Sequence, residues 1–167
     1  MGTDGPIRKI LLYVDSSEEC ITAAQYGISL AKSLDAELAA VYIVDVEVLS
    51  NLVKAKIFVK IEEMDYEQNL EEDGRRYLNY ISELGLKKGI EIDTYLAKGI
   101  VNKEVIKKIE ELNVDLLIMG ELDPIQSRTD VFHNEAELIF RKSNCSVLVV
   151  KDEERTERIY NEINDEK

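Results

Sequence analysis

Ile10-Leu11-Leu12-Tyr13-Val14 is an unbroken apolar run behind the basic pair Arg8-Lys9. Such a run suits a strand covered on both faces, as in a parallel sheet. Ser16 followed three residues later by Glu19 has the spacing of a capping box and predicts a helix starting there. Cys20, Ala24, Gly27, Ala31 and Leu34 recur at alternating steps of four and three, which puts one apolar stripe along that helix. Residues 36–44 read as a second strand ended by Asp45, and 46–61 as an apolar but poorly periodic excursion. Helix 62–84 would carry Leu70, Gly74, Tyr77, Ile81 and Leu84 on one face, with Gly85 or Gly89 ending it. Residues 90–97 partly alternate, as a strand near a sheet edge does, and Asn102 is placed to cap a helix bearing Val105, Ile106, Ile109 and Leu112. A strand at 115–119 ends at Gly120, a short helix spans 134–142, and Ser146 to Val150 is the last strand.

Strands and helices therefore alternate from end to end, without an internal repeat. Right-handed crossovers turn that order into an α/β fold: a doubly wound, five-stranded parallel sheet with helices on both faces. Residues 7–151 make one domain, and 152–167 a charged C-terminal tail with seven acids against three bases. A tail of that composition is expected to be solvated, although Ile159 and Ile163 could dock one helical turn.

Charge narrows the partners. With a net charge of -13 over 167 residues, the chain lacks the basic face that nucleic acid or an anionic membrane requires. No apolar run approaches the ~20 residues of a membrane span, and Met1 to Pro6 lacks a signal-peptide core, so a cytoplasmic protein is expected. Cys20 and Cys145 fall inside predicted elements and suit a reducing compartment.

Three segments carry a family resemblance. They are Ile10-Leu11-Leu12-Tyr13-Val14-Asp15-Ser16-Ser17, the stretch from Leu30 to Leu38 (LAKSLDAEL), and Leu117-Ile118-Met119-Gly120 together with Cys145-Ser146-Val147-Leu148-Val149-Val150. In this order and spacing the chain resembles a universal stress protein over residues 9–151. The resemblance implies a Rossmann-like, adenine nucleotide alpha hydrolase-like sheet. In the ATP-binding branch of that family, a glycine is followed after two residues by a second and after nine more by glycine with serine or threonine. Glycines there let backbone N–H groups approach phosphate, and the last pair opens a helix whose N-terminus favours anions. Gly120 matches the first position, Asp123 replaces the second glycine, and His133-Asn134 replaces the final pair.

The replacement has an electrostatic direction. Between Gly120 and Glu137 stand five acids, Glu121, Asp123, Asp130, Glu135 and Glu137, against one base, Arg128. A carboxylate ~5 Å from a phosphate charge costs on the order of 3 kcal/mol at an effective dielectric of 20. A helix terminus returns only about 0.3–1 kcal/mol in exposed settings. Repulsion wins unless a divalent cation intervenes.

The resemblance also places Asp15 at the adenosine end of the crevice, with Val14, Ile43 and Met119 as backbone lining. Tyr13 stands where adenine would lie, either filling the space or offering a stacking surface. Asn134 with Glu137 has N-cap spacing, and His133 is expected to be an exposed residue ahead of that helix rather than a ligand or base.

The leading expectation is a binding or regulatory module with a lost or weakened ATP site, no cofactor and no enzymatic activity. It would be a homodimer through Ser146 to Val150, as family resemblance implies. The alternative keeps ATP or AMP with magnesium or manganese held by Asp123, Asp130 or Glu135 and a hydrogen bond from Asn134. Hydrolysis would need a base, and His133 beside Asp130 or Glu135 is the sole imidazole candidate. The excursion at 46–61 is expected to pack as a lid or dimer contact, with a surface for a protein partner as its other use.

Overall fold

A computed structural model describes residues 5–56, 60–122 and 134–165. Five strands, β1 Lys9–Val14, β2 Glu37–Asp45, β3 Ile92–Gly99, β4 Leu116–Met119 and β5 Ser146–Val149, form one sheet in the order β3-β2-β1-β4-β5. Every pairing is parallel, as unbroken apolar runs require. Helices α1 Glu18–Leu34 and α3 Lys60–Lys87 cover one face, and α4 Val101–Leu112 and α5 Glu135–Lys142 cover the other. The winding reverses between β1 and β4. In open parallel sheets that is where ligands bind, at the C-terminal strand ends.

Alternation along the strands builds two core layers. Ile10, Leu12, Val14, Tyr42 and Val44 pack with α1 and α3, while Leu11, Tyr13, Val41, Ile43 and Met119 pack with α4 and α5. In α1, Cys20, Ala24, Gly27 and Ala31 are buried as the stripe predicts, but Leu34 at its end is exposed. Its cap lies one residue later than the sequence suggests. Ser17, not Ser16, accepts from the Cys20 N–H, because the Ser16 hydroxyl instead bonds Tyr42 at 3.0 Å.

Two other expectations change, and a choice left open is decided for Gly89. The excursion at 46–61 contains a helix, α2 Val46–Lys54, capped by Asp45 through the N–H groups of Glu47 and Val48. Val46, Leu49 and Val53 recur there at helical spacing, yet only Leu49 is buried and Val48 is exposed. Asn102 lies inside α4 rather than capping it; Ile100 holds the cap position and offers no side-chain bond. Helix α3 runs through Gly85 to Lys87, and Gly89, at φ 73°, makes the exit turn.

The C-terminal tail is not solvated throughout. Residues Glu153–Glu162 form helix α6, capped by Asp152 and packed on α1 with Thr156 and Tyr160 buried. The Tyr160 hydroxyl donates to the Leu84 carbonyl at 2.7 Å. The buried Lys88 ammonium donates to the Ile163 carbonyl at 2.8 Å and the Asp165 carboxylate at 2.5 Å, and lies 4.7 Å from the Tyr160 ring centre. The buried Tyr160 joins the half-buried Ile159 and Ile163 in anchoring the segment.

Two glycines in helices are expected to respond oppositely to alanine. At Gly27 an added Cβ meets Ile118 and Leu38 at 3.6 and 3.7 Å, ordinary contact, so Gly27→Ala should stabilise by about 0.5–1 kcal/mol. At Gly74 it would stand 2.5 Å from the Tyr42 ring and 2.9 Å from Leu96, so Gly74→Ala should destabilise by about 1–2 kcal/mol despite better helix propensity. Urea unfolding of the two variants measures both signs.

Acid should loosen the sheet at one identifiable point. Asp115, just before β4, accepts backbone N–H bonds from Arg8 at 2.8 Å and Lys9 at 2.9 Å, which hold its carboxyl below the usual aspartate range. A lowered folded value stabilises above the unfolded pKa of about 3.9 and loses that contribution as pH falls through the folded value. Asp115→Ala should therefore flatten the pH dependence of stability in that acid window, as followed by urea midpoints.

Candidate ligand crevice at the strand ends

The crevice lies past the ends of β1, β2 and β4, where Val14-Asp15, Asp45 and Met119-Gly120 leave the sheet. Tyr13, Ile43 and Met119 are buried on the α4 and α5 face, whereas Val14 is buried on the opposite face. Ile43 sits within β2, two residues before its end. Asp123 and His133, with Asp130, lie outside the described residues. Asn134 caps α5, its Oδ1 accepting from the Glu137 N–H at 3.0 Å, as its spacing predicts.

Tyr13 is the side chain around which the strand ends converge. It shares its core with Ile43, Val101, Met119 and Ile139. Burial pushes its phenol far above the ordinary tyrosine range, and the charges on Asp15 and Glu135, with smaller contributions from Tyr42 and Asp45, push the same way. Three carboxylates from three separate segments thus act on one buried ring.

Those carboxylates are held by the chain itself. Asp15 accepts from the Ser17 N–H at 3.1 Å and from the Ser17 hydroxyl. Asp45 Oδ1 accepts from Glu47 and Val48 at 3.0 and 3.2 Å. Glu135 reaches a different helix: its Oε2 accepts from the Asn102 N–H at 2.7 Å and from Asn102 Nδ2 at 2.9 Å. Lys142 Nζ in turn donates to Asn102 Oδ1 at 3.2 Å. The buried Glu137 carboxylate binds Arg141 at 2.8 Å.

Sequence reading missed Asn102 as a member of this cluster. The sequence offers Asn102 as a helix cap, a role it does not take, and the carboxylate that it binds comes from 33 residues away. Glu135 was legible as an acid for a metal or as a partner for His133. Among the described residues, no three His, Cys, Asp or Glu side chains converge to hold one.

Gly120 has a steric reason that involves no ligand. An added Cβ there would lie 2.8 Å from the Glu19 carbonyl carbon, so the first turn of α1 closes over this glycine. Cys20, also in that turn, is pushed up to about 12 by burial, with the Asp15 charge adding, and its thiol contacts the Ser17 carbonyl at 3.0 Å. It is a packing residue, not a nucleophile. Beyond the crevice, an open groove of about 610 Å³ is lined by Ser16, Asp73, Arg76, Tyr77 and Tyr80, where Arg76 is paired with Asp73.

No helix among the described residues is long and apolar enough to cross a membrane. Known proteins give the architecture its context. A universal stress protein of Methanocaldococcus jannaschii is 29% identical over 144 residues, covering 86% of this chain and 82% of its own length. A solved universal stress family protein from Burkholderia pseudomallei has a TM-score of 0.67 at 22% identity, covering 89% of this chain and 98% of that one. An Arabidopsis thaliana family member with AMP bound has a TM-score of 0.61 at 13% identity, over 86% of this chain and 91% of that one. Identities this low in the two solved structures establish a shared fold. The family model itself matches residues 6–151, and with that span the chain belongs to the universal stress protein family.

Proposed function

We propose that this chain is a cytoplasmic regulatory or binding module of the stress response whose ATP site is lost or weakened, and that it acts as a dimer without catalysing a reaction. One observation carries the reading: Asp15, Glu135 and Asp45 all place negative charge on the buried Tyr13 ring at the strand ends. In a partly desolvated crevice, like charges at short range cost several kcal/mol, more than helix termini return. Titration calorimetry with ATP, AMP and cyclic AMP tests it. Silence in chelator supports the reading, and saturable micromolar binding in chelator contradicts it.

A second reading is favoured by the AMP held in the Arabidopsis relative. On it, a divalent cation would screen the acids of the loop after β4 and a nucleotide would bind with the metal. Affinity that appears only with magnesium or manganese supports this alternative.

Dimerisation through β5 has its own support. The strand pairs with β4 on one side only, and Val147, Leu148 and Val149 remain half-buried while Ser146 is exposed. Phe140, on neighbouring α5, is exposed. An open apolar edge is a template for pairing. Sedimentation at micromolar concentration should give a dimer that Val149→Lys disrupts; a strict monomer contradicts the assignment.

A further inference from the structure

We propose that α6 is a releasable strap: it opens from α1 as one unit while the sheet and the other helices stay folded, and the contact of Lys88 with Ile163 and Asp165 is the latch that holds it closed. The strap lies past residue 151, where the match to the family ends.

Little of the strap is buried. Of the ten residues of α6, Thr156 and Tyr160 are buried, Ile159 is half-buried and the others are exposed. The layer beneath it keeps Ile28, Leu78, Ile81 and Leu84 packed with the sheet. Segments with so few buried contacts open locally before a domain unfolds.

Helix α1 does not depend on the strap for its polar groups. Tyr26, Ser29, Leu30 and Ser33 face Ile159 across an open seam of about 130 Å³. The Ser29 hydroxyl donates to the Gln25 carbonyl at 2.8 Å, and the Ser33 hydroxyl to the Ser29 carbonyl at 3.0 Å. Both bonds stay inside α1, so opening the seam orphans neither hydroxyl. It would bare Tyr26 and Leu30.

Charge is distributed unevenly along the strap. At its start, Glu153 shares a cleft of about 120 Å³ with Glu18, Glu19 and Glu121, against the single base Lys151. Like charges therefore oppose one another at the hinge. At the far end, attraction is concentrated on one ammonium. Lys88 Nζ donates to the Ile163 carbonyl at 2.8 Å and to Asp165 at 2.5 Å, and stands 4.7 Å from the Tyr160 ring centre. These three partners all belong to the strap. Closure supplies acceptors to an ammonium on a residue only 5% exposed, and opening hands it to water. With the hinge repelling and the end holding, loss of the latch frees the whole segment.

Native-state hydrogen exchange of the full chain, read by mass spectrometry, compares wild type with Lys88→Met, Asp165→Asn and Gly74→Ala. In wild type the α6 amides should be protected, yet exchange at least about ten-fold faster than those of β1 and β4. Each latch variant should speed the α6 amides by roughly ten-fold more, the loss of a hydrogen bond to a charged group. Gly74→Ala acts on Tyr42 and Leu96 instead, so it should speed the β1 and β4 amides and leave those of α6 unchanged. Asp165 is an exposed side chain, and its variant carries the test if Lys88→Met misfolds by circular dichroism. Exchange of α6 in step with the strands, in wild type and in Gly74→Ala, would overturn the proposal. So would α6 rates within two-fold of wild type in the folded latch variants, or wild-type α6 exchange at the rate of an unfolded chain, which would mean that no closed state exists.

Discussion

Tyr160→Ala is expected to lower the stability of the protein by about 3–5 kcal/mol, the range for removing a large buried aromatic side chain. For a chain of this size that corresponds to a fall in Tm of roughly 10 °C. Tyr160 is 5% exposed, and its ring packs in the layer formed by α1, α3 and the sheet. Its hydroxyl satisfies the Leu84 carbonyl near the end of α3, and its ring faces the Lys88 ammonium. Truncation loses the packing and releases the segment that brings Ile163 and Asp165 to Lys88. Tyr160→Phe should cost far less, about 1–2 kcal/mol, because only the hydrogen bond is removed. Thermal unfolding by circular dichroism separates the two, and equal losses would mean that the hydroxyl, not the ring, anchors α6.

The second large effect falls in the crevice. Tyr13→Ala is expected to destabilise by about 3–4 kcal/mol and to leave a cavity beneath the strand ends. If the ring fills space that a nucleoside would use, millimolar adenosine should raise the Tm of the variant more than that of wild type, by ligand linkage. The opposite pattern, protection of wild type alone, would make Tyr13 a stacking platform. Burial at 8% exposure among Ile43, Val101 and Met119 argues for filling.

Much of the fold was legible because it rests on periodicity. The run Ile10 to Val14, the stripe from Cys20 to Ala31 and the apolar positions of α4 each specify a buried face by local pattern alone. Helix α2 was obscured because Val48, which the structure leaves exposed, interrupts the apolar spacing of Val46, Leu49 and Val53. Helix α6 was obscured by charge: ten ionisable residues in the tail suggested solvation, while a single tyrosine and the distant Lys88 decide its docking. Long-range partners leave no periodic trace.

The site divides the same way. Asn134 as a cap and Gly120 at the strand exit follow from neighbours in sequence. The Glu135–Asn102 bond joins two helix starts that only the crossover topology makes adjacent. In the sequence Glu135 is one acid among five, and a count does not give the atom on which it rests.

The account depends on the strand-end crevice refusing a bare nucleoside triphosphate, and titration of the folded protein with ATP in the presence of chelator tests that most directly. The expected result is no saturable heat up to millimolar ATP. A stoichiometric isotherm with micromolar affinity under those conditions would contradict it.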